Sequence, residues 1–187
     1  ANMSSDIQIG QLPLTWIRKI LTLFERFDRD KDGVNKREDL LLYADKVIRE
    51  GTLTDEASCG IYKFFQNYFD VEAAQDIHNK TSVAEKLISV WKYKDVSEIV
   101  EWWLKMFLTI FEACNLDSTG LMPFDSFMVF WNSIDADKRF ARMQFDFLDT
   151  DGDGFISKEE FSNGFVHYMS NTDENTLNRF VGPLINY

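Results

Sequence analysis

The chain has 187 residues, a net charge of −11 from 31 acidic and 20 basic residues, and 45 % apolar residues, among them 17 Phe, 6 Tyr and 5 Trp. Such length and aromatic content exclude a disordered chain and suffice for one compact domain or two small ones. The acidity argues against nucleic acid or anionic lipid as a partner, and no run approaches the ~18 apolar residues of a membrane span, so no membrane anchor is expected.

Ile20, Leu23, Phe24 and Phe27 recur at helical spacing and run into DRDKDGVNKRED, residues 28–39; Leu40, Tyr43, Ala44 and Val47 continue beyond it. Pro13 and Gly51 are placed to start and stop this pair of helices. Cys59 and Cys114 make no disulfide framework and are expected as buried free thiols. Tyr62, Phe65 and Phe69 lead into DVEAAQDIHNKT, residues 70–81, and Val83, Leu87 and Val90 leave it one residue late. Its NKT sequon is read as chance, because the start, ANMSSDIQIG, lacks a signal-peptide profile and places Asn2 where myristoylation needs glycine. The cytosol is the expected location.

Asp95 and Glu98 suggest a capping box before Phe107, Ile110, Phe111 and Cys114, which run into NLDSTGLMPFDS, residues 115–126; Phe127, Phe130 and Trp131 follow. Asp135 suggests an N-cap for the helix carrying Ala141, Phe145 and Leu148 into DTDGDGFISKEE, residues 149–160, and Phe161, Phe165 and Tyr168 leave. Four copies of one helix–loop–helix unit follow from this repetition.

The last loop fits D-x-D-x-D-G-x5-E, the EF-hand calcium pattern. Ca²⁺ takes six to eight oxygens at ~2.3–2.6 Å. Asp149, Asp151 and Asp153 supply carboxylates, Gly154 allows the sharp turn, Phe155 offers its carbonyl, Ser157 can orient a water, and Glu160 reaches back as the bidentate ligand. Ile156 is set to pair with the neighbouring loop. In the first loop Asp28, Asp30, Asp32, Gly33 and the Val34 carbonyl match, but Asp39 stands at position 12. One methylene shorter than Glu, it must draw the helix inward or bind through one oxygen, which favours Mg²⁺ competition at 28–39. Asn35 replaces the apolar pairing residue.

The third loop keeps Asn115, Asp117, Thr119, Gly120 and the Leu121 carbonyl, yet Ser126 holds position 12 and Asp125 should point away, so a third ion there stays open. The second, with Ala74, Gln75 and Thr81 at positions 5, 6 and 12, is degenerate and is expected to serve the first as a structural mate through Ile77. An all-α fold of two EF-hand pairs follows, about 1–94 and 95–187, packed into one globule.

Four such units, a dead second loop and an aromatic interior resemble the invertebrate sarcoplasmic calcium-binding proteins over the whole chain. The resemblance implies that Asp39 is an accepted variant at position 12. It implies that the first, third and fourth loops bind, with Ser126 departing from the pattern. It also implies that the tail FVGPLINY places Phe180, Leu184 and Ile185 in the groove a sensor would open. A soluble, monomeric Ca²⁺/Mg²⁺ buffer with no evident protein partner is the implied function.

Two other readings come from relatives. Six Met against so many aromatics argue against a calexcitin-type sensor with a pliable groove. A photoprotein-like carrier of an aromatic ligand is the other, but Phe165 stands where a photoprotein has its histidine, Phe180 is the match for its tail tyrosine, and His167 is two residues off. No enzyme is expected, since no Gly precedes a Lys as in a phosphate loop, and His78 and His167 belong to no nucleophile motif.

Overall fold

Pro13, with its ring-fixed φ of −59°, stands at the N-cap of α1 (Leu14–Phe27). The computed structural model, which describes residues 6–114 and 119–186, continues with α2 (Arg37–Gly51), α3 (Asp55–Asn67), α4 (Glu72–His78), α5 (Val83–Tyr93) and α6 (Ser97–Cys114). A short strand β1 (Leu121–Met122) leads to α7 (Phe124–Ser133), α8 (Ala141–Leu148), β2 (Ile156–Ser157) and α9 (Lys158–Ser170). The fold is all-α, and the apolar stripes explain it. Leu40, Tyr43, Ala44 and Val47 of α2, Phe107, Ile110, Phe111 and Cys114 of α6, and Phe161, Phe165 and Tyr168 of α9 are all buried in one core. α2 lies on α3 and α7, and α6 lies on α3, α7 and α9, so the helices interlock across the chain.

Among the described residues the only strand pair is β1 with β2, antiparallel, with Met122 opposite Ile156 and Leu121 opposite Ser157. Ile156 thus pairs with the third loop, as its position in the pattern suggests. The first loop has no such strand. Asn35 instead donates from Nδ2 to the Phe24 carbonyl at 2.8 Å, closing the end of α1.

The second unit differs from expectation. Residues 70–81 form no ion loop: a 3₁₀ turn over Tyr68–Asp70 is followed directly by α4. Gln75 replaces the turn glycine, and EAAQ is made of good helix formers, so local propensity prevails where no ion cage demands a bend. Ile77 therefore packs against the core from a helix rather than pairing with the first loop.

Three smaller expectations are corrected, and the helix end at Gly51 is as expected. α6 begins at Ser97, and the Asp95 carboxylate pairs with Lys94 rather than capping it. Asp135 has a left-handed φ of 55° and caps nothing; Asp137, two residues on, accepts from the Arg139 amide at 2.9 Å. Gly51 is the last residue of α2, but the left-handed stop is Thr52 at φ 47°. A Cβ on Gly51 would meet Leu53 Cδ2 at 2.7 Å and Val129 Cγ1 at 3.2 Å, so a larger residue there would require these side chains to shift. Cys114 is buried, which pushes its thiol up to about 12, whereas Cys59 is exposed.

The tail closes the core. Phe180 has no exposed surface and its ring centre lies 5.1 Å from Phe161, 5.3 Å from Phe107, 5.7 Å from Phe165 and 5.8 Å from Phe130. Leu184 and Ile185 are half-buried. Arg26 Nε donates to the Val181 carbonyl at 3.0 Å, and the Ile185 amide donates to Thr22 Oγ1 at 3.1 Å, fastening the tail to α1. On the other side the Arg179 amide donates to Gln144 Oε1 at 2.7 Å, and Asn178 Nδ2 donates to the Gly164 carbonyl at 2.8 Å, fastening it to α8 and α9.

Candidate metal centres

Between α8 and α9 the backbone coils around its own carboxylates. The Asp153 amide donates to Asp149 Oδ1 and Asp151 Oδ1, both at 3.1 Å, and the Gly154 amide donates to Asp149 Oδ2 at 2.9 Å. The Phe155 amide donates to Asp153 Oδ1 at 2.9 Å. The turn needs left-handed backbone at Gly152 (φ 71°) and Gly154 (φ 86°), which glycine adopts without strain. Carboxylate oxygens of Asp149, Asp151 and Asp153 consequently lie within 4.8 Å of one another.

Glu160 leans back over this nest. Its Oε1 accepts from the amides of Thr150 at 3.0 Å and Asp151 at 3.3 Å, and its Oε2 accepts from the Ser157 amide at 2.8 Å. Ser157 Oγ in turn accepts from the Glu160 amide at 3.1 Å, a capping box that starts α9. Ser157, the residue expected to orient a water, also caps this helix.

The first loop repeats this geometry bond for bond. The Asp32 amide donates to Asp28 Oδ1 and Asp30 Oδ1 at 3.2 Å, the Gly33 amide to Asp28 Oδ2 at 2.9 Å, and the Val34 amide to Asp32 Oδ1 at 2.9 Å. Oxygens of Asp28, Asp30 and Asp32 again lie within 4.8 Å of one another. Asp39 makes the contacts Glu160 makes: Oδ1 accepts from Arg29 at 2.7 Å and Asp30 at 3.2 Å, and Oδ2 from Lys36 at 3.0 Å. The shorter side chain reaches by sitting deeper, for Asp39 is 1 % exposed. Lys31 occupies the place of Gly152 at φ 60°, a costlier conformation for a residue with a Cβ.

A side chain that the loop pattern did not single out separates the two nests. Lys36, at position 9, sets its ammonium 2.9 Å from Asp30 Oδ2 and also pairs it with Asp32. The Lys36 hydrogen bond, then the Val34 amide, hold the Asp32 carboxyl below its usual range. No cation takes that role in the fourth loop, where Lys158 turns away to Glu112 at 2.8 Å. There the Asp153 amide works to lower Asp151, but partial desolvation and the charges of Asp153 and Glu160 outweigh it and leave Asp151 above its usual range. A lysine inside an acidic loop was visible in the sequence; that its ammonium folds inward was not.

In the third loop Asn115 and Asp117 lie outside the described residues. Ser126 is buried and Asp125 is exposed, which leaves position 12 without an inward carboxylate. The donor sets of the first and fourth loops are hard, anionic and all oxygen, and they fit a divalent alkaline-earth ion.

A family model described as EF hand matches residues 142–166, which span nearly all of α8, the fourth loop and most of α9. The sarcoplasmic calcium-binding protein of Hediste diversicolor is 26 % identical over 174 residues, covering 91 % of this chain and 98 % of that protein. It is a calcium-binding EF-hand protein, related to the sarcoplasmic calcium-binding proteins. Two solved structures share the EF-hand fold. The coelenterazine-binding protein from Renilla muelleri, in its calcium-loaded apo form, has a TM-score of 0.69 at 23 % identity and covers 90 % of this chain and 96 % of that one. The magnesium-loaded ctenophore photoprotein apo-berovin has a TM-score of 0.60 at 17 % identity, covering 85 % and 87 %. Among the described residues no helix is long and apolar enough to cross a membrane.

Proposed function

We propose that the chain is a Ca²⁺/Mg²⁺ buffer of the sarcoplasmic type. It would bind one ion through Asp149, Asp151, Asp153, the Phe155 carbonyl and Glu160, and one through Asp28, Asp30, Asp32, the Val34 carbonyl and Asp39. Two divalent ions would offset four of the eleven net negative charges. The shorter Asp39 and its deep seat favour a compact cage at 28–39, where Mg²⁺ competes best. The EF-hand pairs at 1–94 and 95–187 would act as one monomeric body in the cytoplasm.

The observation that carries buffering over sensing is Phe180. A sensor opens a groove on binding, and here that space is filled by a ring with no exposed surface held among Phe107, Phe130, Phe161 and Phe165. Calorimetry with and without Mg²⁺ tests the reading by counting ions. Two sites with Mg²⁺ competition at one, and no rise in binding of an apolar dye at saturating Ca²⁺, are expected. A large new dye-binding surface would instead establish a sensor.

A second reading, a carrier of a hydrophobic small molecule, is favoured by one feature: an apolar cavity of about 130 Å³ beside the first loop.

A further inference from the structure

That cavity lies where α1, α5, α6 and the second unit meet. Phe24, Phe69, Trp102 and Met106 contribute to its wall, which is overwhelmingly apolar. At about 130 Å³ it approaches the ~150 Å³ of a dry cavity that accepts a benzene ring. Besides Tyr68 and the indoles of Trp102 and Trp103, its polar residues are Asn35, Lys36, His78 and Lys86. All four are partly exposed, as are Leu23, Phe24, Phe69 and Trp102 of the same wall, while Phe27, Leu40 and Val90 are buried, so the cavity opens to solvent on one side and the polar groups belong to its partly exposed lining.

Of these polar groups Lys36 and Lys86 are cationic and none is anionic. Among the described residues Lys86 enters no ion pair, although 31 acids surround 20 bases in this chain. His78 packs on Phe69 with ring centres 4.8 Å apart, and burial first, then the charge of Lys86, keep it below its usual pKa. An apolar chamber with an unpaired ammonium at its rim is complementary to a molecule with an apolar body and a negative head. Lys36 belongs to the same wall while its ammonium is engaged by Asp30 and Asp32 of the first loop. An ion taken by those carboxylates competes with that ammonium, and a released Lys36 would add a second positive charge to the rim.

We infer that this cavity binds a small aromatic carboxylate, its ring among the wall side chains and its carboxylate on Lys86, and that ion uptake by the first loop tightens the complex through Lys36. The cavity site stands independently; its coupling to the ion rests on the reading of residues 28–39 as a metal loop.

The test uses the full chain and a matched pair of single-ring probes, phenylacetate and its neutral amide, titrated by the change in emission of Trp102 and Trp103, which line the cavity, with Ca²⁺ uptake counted by calorimetry on the same samples. Without Ca²⁺ the carboxylate should bind at least about tenfold more tightly than the amide, a step equal to one charge-assisted contact. Lys86→Gln should erase that difference and leave the amide unchanged. Ala74→Leu, which fills the wall, should weaken both probes, and Ile77→Trp replaces it if that variant does not fold. Saturating Ca²⁺ should tighten the carboxylate severalfold and not the amide, and Lys36→Gln should abolish this gain. Equal affinities for the two probes, or indifference to both wall variants, overturn the site. Ca²⁺ uptake by the first loop without any gain for the carboxylate overturns the coupling. Absence of Ca²⁺ uptake at 28–39 overturns the metal-loop reading instead, while the preference for carboxylate over amide still decides the cavity.

Discussion

Lys19 and Tyr168 each hold the other's backbone: Lys19 Nζ donates to the Tyr168 carbonyl at 2.8 Å, and the Tyr168 hydroxyl donates to the Lys19 carbonyl at 2.8 Å. Lys19 Nζ also donates to the Asn171 carbonyl at 2.6 Å. A positive charge thus closes the C-terminal end of α9, where the helix leaves its carbonyls open and its dipole negative. The contact joins the first helix to the last, and Lys19 has no exposed surface.

This arrangement dictates a pH dependence. Burial, with a smaller contribution from the charge of Arg179, lowers the Lys19 pKa from 10.5 to about 8. Between those values the unfolded chain holds a proton that the folded chain has released, so stability rises with pH over this window. Burial shifts Tyr43, Tyr68 and Tyr168 upward from 10, so above that pH the folded chain retains protons the unfolded one loses, and stability falls. Urea unfolding of the ion-free chain should therefore show a midpoint that climbs above pH 8 and turns over near pH 10. Lys19→Met should remove the climb and keep the fall.

Truncating Phe180 should carry a large stability cost. Its ring is enclosed by aromatic neighbours from α6, α7 and α9, so Phe180→Ala leaves a cavity that none of them can fill by a rotamer change alone. The cost should be about 3–5 kcal/mol. Denaturant unfolding measures it; a loss below ~1 kcal/mol would mean the tail is only draped on the core.

How much of this was legible in the sequence depended on whether chemistry or packing decides the position. Asp149 to Glu160 could be read directly, because each place in the loop calls for an oxygen, a glycine or an apolar residue, and spacing alone brings them together. The stretch at 70–81 could not. Repeat logic assigns it a loop, while EAAQ has its own preference for helix, and only the lack of an ion cage decides between them. Asp135 and Asp137 are the same residue type two positions apart, and the backbone angle that makes one a cap is not written in either. Cys59 lies in α3 but faces solvent, since helical periodicity does not say which residues a neighbouring helix will cover.

Removing one oxygen donor should separate the two centres. Glu160→Gln keeps the Ser157 capping geometry within reach but replaces a carboxylate by a neutral amide at the position that encloses the nest. Calorimetry should lose the fourth-loop ion and retain the first. The thermal gain from Ca²⁺, about 2.7 kcal/mol per site at 100 Kd of free ion, should fall by one site's share. Loss of both sites together would show that the loops fill as a unit.

Lys36 sets the affinity of the first loop from inside. Its ammonium occupies Asp30 and Asp32, so an entering ion must displace it, whereas the fourth loop has no such competitor and keeps Asp151 raised by partial desolvation and its acidic neighbours. The fourth loop should fill first. Lys36→Gln removes the charge and shortens the side chain by one atom, so Ca²⁺ affinity at 28–39 should rise roughly tenfold, the factor that corresponds to ~1.4 kcal/mol. Affinity at 149–160 should stay constant, because those residues are outside the reach of this side chain. The same variant should unfold slightly earlier without Ca²⁺, since the free loop carboxylates then repel one another unopposed. A rise in affinity with no change in the ion-free midpoint would separate the competition from the repulsion; an unchanged affinity would mean that the ammonium leaves the loop at no cost.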